Sequence, residues 1–250
     1  MMTKPYLLWL IWQNVNTRQR YHVGNLLHVD GLYVFQYETE NKHRGLKEAL
    51  DNGYRPHLAF PDLKKVYTSD KMFGPFLRRL PNASRPDFPK LLEKYGLPKD
   101  YTQMDLLRAT GGRLGTDSYE FVHPVYIEGN HFDFDFHIAG WRYYDGDKHL
   151  GEISYDTKLS LEKEPSNDND SFAVKVQTNN GLLLGYVPAF FSEFMTHIID
   201  EGCYYEVRIE KIDVHAIPQL RVCLTVNGEF DTYFDDISRT SKDLVPVQVV

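Results

Sequence analysis

Apolar and polar residues follow one rhythm before about residue 126 and another after it. The run "LLWLIWQNV" near the start is dense in strong β-formers and predicts a buried strand. "YHVGNLLHVDGLYVFQYE" places two β-rich runs on either side of Asp30-Gly31, a strong hairpin signal. Helical spacing then takes over. A short helix is predicted over 42–52. Phe73, Phe76, Leu77 and Leu80 share one helical face, with Pro75 limiting where that helix starts. "FPKLLEKYG" predicts a helix ended by Gly96, and "YTQMDLLRATGGRLG" one capped by Thr102 and stopped by Gly111-Gly112.

After residue 126 the period is two. "HFDFDFHIAGW" alternates strictly and puts Phe132, Phe134 and Phe136 on one face. "KLSLEKEP", "FAVKVQT", "LLLGYVP", "CYYEVRIEKIDV" and "LRVCLTV" predict further strands, with a tight turn at Asn179-Asn180-Gly181. One helix interrupts, from Pro188 to Gly202. The final "DLVPVQVV" has the pattern of a last strand. These rhythms predict two domains, 1–125 and 126–250: an α+β chain with a mixed first half and a small closed or half-closed β structure with one or two helices as the second.

Composition narrows the classes. With 42% hydrophobic and 14% aromatic residues, the chain has enough apolar surface for a packed core. No apolar run approaches the roughly 18 residues of a membrane span, and the N-terminal apolar run lacks the basic flank of a signal peptide. Cys203 and Cys223 are too few for a disulfide scaffold or a Cys-rich zinc site, so the cytoplasm is the expected compartment. The net charge of −7 argues against a general nucleic-acid coat. It is unevenly spread: residues 1–125 balance at +5 and residues 126–250 at −12.

Few residues offer chemistry. His131, Asp133, Asp135 and His137 share one strand face, but neighbours on a straight strand point in parallel and do not converge on one ion. "SNDNDS" at 166–171 opens like a calcium loop yet lacks the later Gly and Glu, so it reads as a polar turn. "GRLG" at 112–115 matches a short RNA-binding clamp over four residues only, in the wrong surrounding pattern, and reads as a helix cap and turn. Phosphate loops, nucleophile elbows and kinase loops are missing. A non-enzymatic binding protein, with no cofactor and no metal, is the expectation.

"FHIAGWRYYDG", "LSLEKEPSNDNDSFAVKV" and "LLLGYVPAFFSEFMTHIIDEG" come in an order and spacing that resemble the HIRAN domain over about 132–230. The resemblance implies a modified OB-like β-barrel that grips the 3′-hydroxyl end of single-stranded DNA. By position it implies that Arg142, Tyr143 and Tyr144 contact the terminal nucleotides. Asn167 and Asp170 would line the end pocket, Asp170 accepting the hydroxyl proton, with Tyr186 and Lys163 at the margins. Trp141–Tyr144 would close a barrel strand with alternate residues on opposite faces.

The first half resembles the N-terminal subdomain of HipA-type toxin kinases over about 6–122. The carriers are "YHVGNLLHVDGLYVFQYE", "RPHLAFPD", "YTSDKMFGPFLRRLPN" and "MDLLRATGGRLGTDSYEF". In that family the piece is not catalytic and packs on a kinase core and a helix-turn-helix antitoxin. Two readings follow. One is a bacterial DNA-end-binding protein of phage defence or repair, whose first half docks a protein such as a kinase core, an antitoxin, a nuclease or a helicase. The other is a toxin–antitoxin or phage-defence interaction protein whose HIRAN half binds protein.

Overall fold

The structure, a computed structural model, describes residues 6–230. The expected last strand, "DLVPVQVV", lies outside them. Strands dominate, and the helices are short apart from one of 12 residues. The chain divides into two compact units between Pro124 and Val125.

In the first unit, β1 (Tyr6–Gln13), β2 (Arg20–Val29), β3 (Leu32–Tyr37), β4 (Tyr67–Ser69) and β5 (Tyr119–Val122) form one antiparallel sheet in the order β4-β3-β2-β1-β5. The β2–β3 hairpin turns at Asp30-Gly31, both with positive φ. Helices α1 (Leu46–Asp51), α2 (Gly74–Leu77), α3 (Phe88–Lys94) and α4 (Gln103–Thr110) belong to the same unit. Phe60 knits the core: its ring centroid lies 4.4 Å from Phe35, 5.0 Å from Tyr67, 5.2 Å from Phe73 and 5.3 Å from Phe76.

Helix α4 starts and stops where its residues require. The Thr102 hydroxyl accepts the Asp105 N–H at 3.1 Å, and the Asp105 carboxylate accepts the Thr102 N–H at 2.8 Å. Gly111 and Gly112 both take positive φ, and a Cβ on Gly112 would fall 2.6 Å from Leu107 Cδ1. The "GRLG" run is therefore a helix cap and turn, with Arg113 folded back onto Glu120.

In the second unit the strands are β6 (Tyr126–Glu128), β7 (His131–His137), β8 (Leu159–Lys163), β9 (Val174–Thr178), β10 (Leu183–Tyr186), β11 (Tyr204–Ile212) and β12 (Val222–Glu229), with one helix, α5 (Ala189–Asp200). They form two antiparallel sheets, β11-β12-β7-β6 and β10-β9-β8. Phe132, Phe134 and Phe136 are buried as their alternation predicts, and Phe132 and Phe134 meet the α5 rings Phe194 and Phe191 at 5.4 and 5.0 Å. Burying each such ring contributes about 1.5–3 kcal/mol.

Of the closed and half-closed forms expected for the small OB-like barrel, the closed one is not formed among the described residues, whose strands do not complete one ladder. The facing edges of β8 and β11 form no strand pairing, and the two sheets are joined by a single bridge, Ala139 with Tyr186. On the opposite face of β7, His131 pairs with Glu229 at 3.3 Å. No group of three or more His, Cys, Asp or Glu is placed to hold a metal ion among the described residues.

The first unit also buries a polar network. His22 is 1% exposed and stacks on Trp9 with centroids 4.3 Å apart. Its Nε2 faces two acceptors, Asn25 Oδ1 at 2.9 Å and the Gly24 carbonyl at 3.2 Å, so it carries the proton. Its Nδ1 accepts from Asn41 Nδ2 at 2.9 Å. Asn25 Nδ2 donates to Glu38 Oε2 at 2.9 Å, and Glu38 Oε1 accepts the N–H groups of Glu40 and Asn41. The neutral imidazole fits every partner, and a second proton would set donor against donor at Nδ1. Burial holds the His22 pKa below the ordinary value of 6.5, against the pull of Glu38.

The sign follows from linkage. The unfolded chain binds a proton that folded His22 refuses, so its contribution is full above pH 6.5 and is lost as pH falls below it. Melting temperatures are expected to drop between pH 7.5 and 5.5. His57, also shifted down by burial, adds to that drop. His22→Gln should melt lower at pH 7.5, since breaking a buried hydrogen-bonded network costs about 1–3 kcal/mol. It should also show a shallower pH slope than wild type; an unchanged slope would remove His22 as its source.

Candidate nucleic-acid interface

The segment after β7 turns sharply. Gly140 takes φ +77°, a value that favours glycine, and Trp141–Tyr143 form one 3₁₀ turn. The expected strand ending with alternating faces is thus corrected: Gly140 breaks the strand before Trp141. The indole is 1% exposed. Its Nε1–H donates to Asp147 Oδ1 at 2.5 Å, and Asp147 is paired with Arg221 at 2.5 Å. Gly146 covers the ring so closely that a Cβ there would sit 2.5 Å from it.

This anchor decides where the next three side chains go. Arg142 is exposed, and Tyr143 is 68% exposed. The Arg142 guanidinium lies 4.7 Å from the Tyr143 ring centroid, a cation–π distance. Tyr144 is half-buried, its ring 5.3 Å from that of Tyr186 on β10.

Beside this pair stands a carboxylate hub that sequence reasoning did not single out. Glu164 Oε2 accepts from Asn167 Nδ2 and from the Tyr186 hydroxyl, each at 2.7 Å. Glu164 Oε1 pairs with Lys175 Nζ at 2.8 Å. The Asn167 amide first, then Lys175 and Tyr186, hold the Glu164 carboxyl at about 2, well below the usual range. Burial, then the Glu164 carboxylate, pushes the Tyr186 phenol up. Strand register assembles the group, for Lys175 on β9 lies directly opposite Tyr186 on β10.

Of the residues expected to act together, Tyr144, Asn167 and Tyr186 gather around this hub, with Arg142 and Tyr143 on the adjoining turn. Lys163 and Asp170 are engaged elsewhere. Lys163 forms an ion pair with Asp200 at the end of α5. Asp170 Oδ1 accepts the Phe172 N–H at 2.9 Å and Oδ2 accepts from Ser192 Oγ at 2.8 Å, which ties the 166–171 turn to α5. Two signals for the missed residues were present: the Glu-Pro step after β8, and the outward position of Lys175 between buried Val174 and Val176.

Residues 131–231 match the model of the HIRAN domain, and this segment is a HIRAN domain. Among solved structures, the HIRAN domain of human HLTF is similar at 20% identity, covering 41% of this chain and 81% of that one with a TM-score of 0.31. A protein from Lactobacillus plantarum is similar at 20% identity, covering 41% of this chain and 98% of that one with a TM-score of 0.35. No curated protein matches the chain.

The hub makes a prediction of its own. Asn167→Ala should move the Glu164 titration midpoint, read from its carboxyl carbon shift by NMR, from about 2 toward the ordinary range. Tyr186→Phe should move it less. Since the folded pKa is depressed, the stabilisation is present above pH 4.5 and lost as pH falls through about 2. A midpoint near 4.5 in the wild type would dissolve the hub.

Proposed function

We propose that this chain is a non-enzymatic cytoplasmic protein whose HIRAN domain holds the 3′-hydroxyl end of single-stranded DNA, with the first unit serving as a protein-docking module. The observation that carries the reading is the exposed Arg142–Tyr143 pair, projected from a turn fixed by buried Trp141. A guanidinium suits a backbone phosphate, and an exposed tyrosine ring stacks on a base for about 1–3 kcal/mol. Tyr144 and Tyr186 supply a second aromatic surface beside Asn167. Bonds to the Phe172 N–H and the Ser192 hydroxyl fix the orientation of the Asp170 carboxylate, the group that the family resemblance assigns to the terminal hydroxyl. Carboxylates at the site oppose a terminal phosphate. The resemblance to HipA N-terminal subdomains supports the docking role and points to a kinase core or a helix-turn-helix antitoxin as partner, with a nuclease or helicase as the further candidates.

One observation favours a second reading. Lys163 and Lys175 are both held by carboxylates, in a half of the chain that balances at −12. A HIRAN surface with its lysines neutralised suits a protein ligand in a toxin–antitoxin or phage-defence complex.

Fluorescence anisotropy with short oligonucleotides separates the two. Strands ending in 3′-OH are expected to bind more tightly than 3′-phosphate strands. The salt slope should be shallow, because roughly one to three phosphates are neutralised. Arg142→Ala should weaken both strands, and Asp170→Ala the 3′-OH strand selectively. Equal binding of the two ends would refute end reading. No binding below ~100 µM, where non-specific DNA binding already shows, would leave the protein-ligand reading.

A further inference from the structure

The first unit carries a cleft of its own. It has a volume of about 430 Å³ and lies along β4, lined by Phe60, Lys65, Tyr67, Thr68, Phe73 and Pro75 among others. Its floor is rigid, because Phe60 is 2% exposed and locked among Phe35, Tyr67, Phe73 and Phe76. Its mouth is open at Gly74, where an added Cβ would meet no atom within 4 Å. We propose that this cleft docks an extended, acidic peptide segment of a partner protein, which adds as a strand to the free edge of β4 and places a large apolar side chain on the aromatic floor.

Three observations select that occupant. First, among the described residues β4 is the outermost strand of the five-stranded sheet and pairs with β3 alone, so its other edge presents backbone donors and acceptors that an extended chain completes. Second, the walls are apolar and aromatic, and apolar exposure continues beside them: Leu58, next to the lining residue Ala59, is 95% exposed, and Leu77 on α2 is 44% exposed. A volume in the range of small-ligand pockets accommodates an aromatic side chain. Third, Lys65 is the one charged residue of the lining, poised 5.3 Å over the Tyr67 ring, and Lys64 beside it is exposed. The Asp62 carboxylate nearby accepts the Lys64 N–H at 2.9 Å. The cleft thus offers a cation at its rim, and a peptide bearing Asp or Glu next to its apolar residue complements it. The proposal rests on the docking role given to this unit and is independent of DNA binding.

The test uses the whole chain, isotopically labelled, and two probes: the hexapeptide acetyl-Asp-Glu-Phe-Val-Asp-Glu-amide and its counterpart with lysine at every acidic position. The acidic peptide is expected to shift the amides of Val66–Ser69 with a Kd at or below about 1 mM. The basic peptide should bind about three-fold more weakly, the scale of one exposed charge pair. Lys65→Glu should reverse that order. Gly74→Trp should abolish both responses while the far-UV circular dichroism stays that of wild type, since its side chain enters open space. No shift at about 1 mM, or an order of affinity that Lys65→Glu leaves unchanged, overturns the proposal. Shifts elsewhere in residues 6–122 would keep the docking role and discard the cleft. Concentration-dependent dimerisation lost in Gly74→Trp would assign the cleft to a second copy of the chain instead.

Discussion

Trp141 lies under Gly146 with no room for even a methyl group between them, its Nε1–H tied to Asp147 and Asp147 tied to Arg221. That contact sets the geometry of the candidate interface. A tyrosine and an arginine on a loose loop would lose rotamer and backbone freedom on meeting a ligand, at a cost of a kilocalorie or so per side chain. Here the backbone is already fixed by the buried indole, and the guanidinium is already held over the Tyr143 ring. The turn spends its stability on placing two exposed side chains. That is why Trp141 is among the most buried residues of the unit while its next two neighbours in sequence are exposed.

The Glu164 hub works differently. It joins side chains from the segment after β8, the 166–171 turn, β9 and β10, so its geometry depends on strand register. A one-residue slip of β9 would turn Lys175 inward and leave Glu164 without its cation. Buried Val174 and Val176 on either side of Lys175 oppose that slip, since it would expose both. Packing on one face of β9 therefore keeps the polar cluster assembled on the other.

Sequence patterning made legible whatever depends on local periodicity and local sterics. The Phe132, Phe134 and Phe136 face, the Asp30-Gly31 hairpin, and the Thr102 and Gly111 ends of α4 all follow from residues within a few positions of one another. Trp141–Tyr144 misled because three aromatics after an apolar strand have high β-propensity, and that preference yields to the positive φ of Gly140 and the burial of the indole. Glu164 and Lys175 were illegible for another reason: their meaning lies in pairing across strands, and an isolated Glu or Lys on an outward face is indistinguishable from a solvated one. Whether the small barrel closes is decided at the β8 and β11 edges, whose pairing is set by how two sheets meet rather than by either strand's own pattern.

The acidic balance of the second half acquires a structural meaning once these pairs are counted against it. Lys163, Lys175 and Arg221 each have a carboxylate partner, in Asp200, Glu164 and Asp147. Arg142 instead faces a neutral ring. Pairing three cations with carboxylates in a half that balances at −12 weakens its attraction for a polyanion along its length. An acidic peptide and a terminal phosphodiester offer a guanidinium the same anionic oxygens, so the two proposed ligands differ little in what they would present to Arg142.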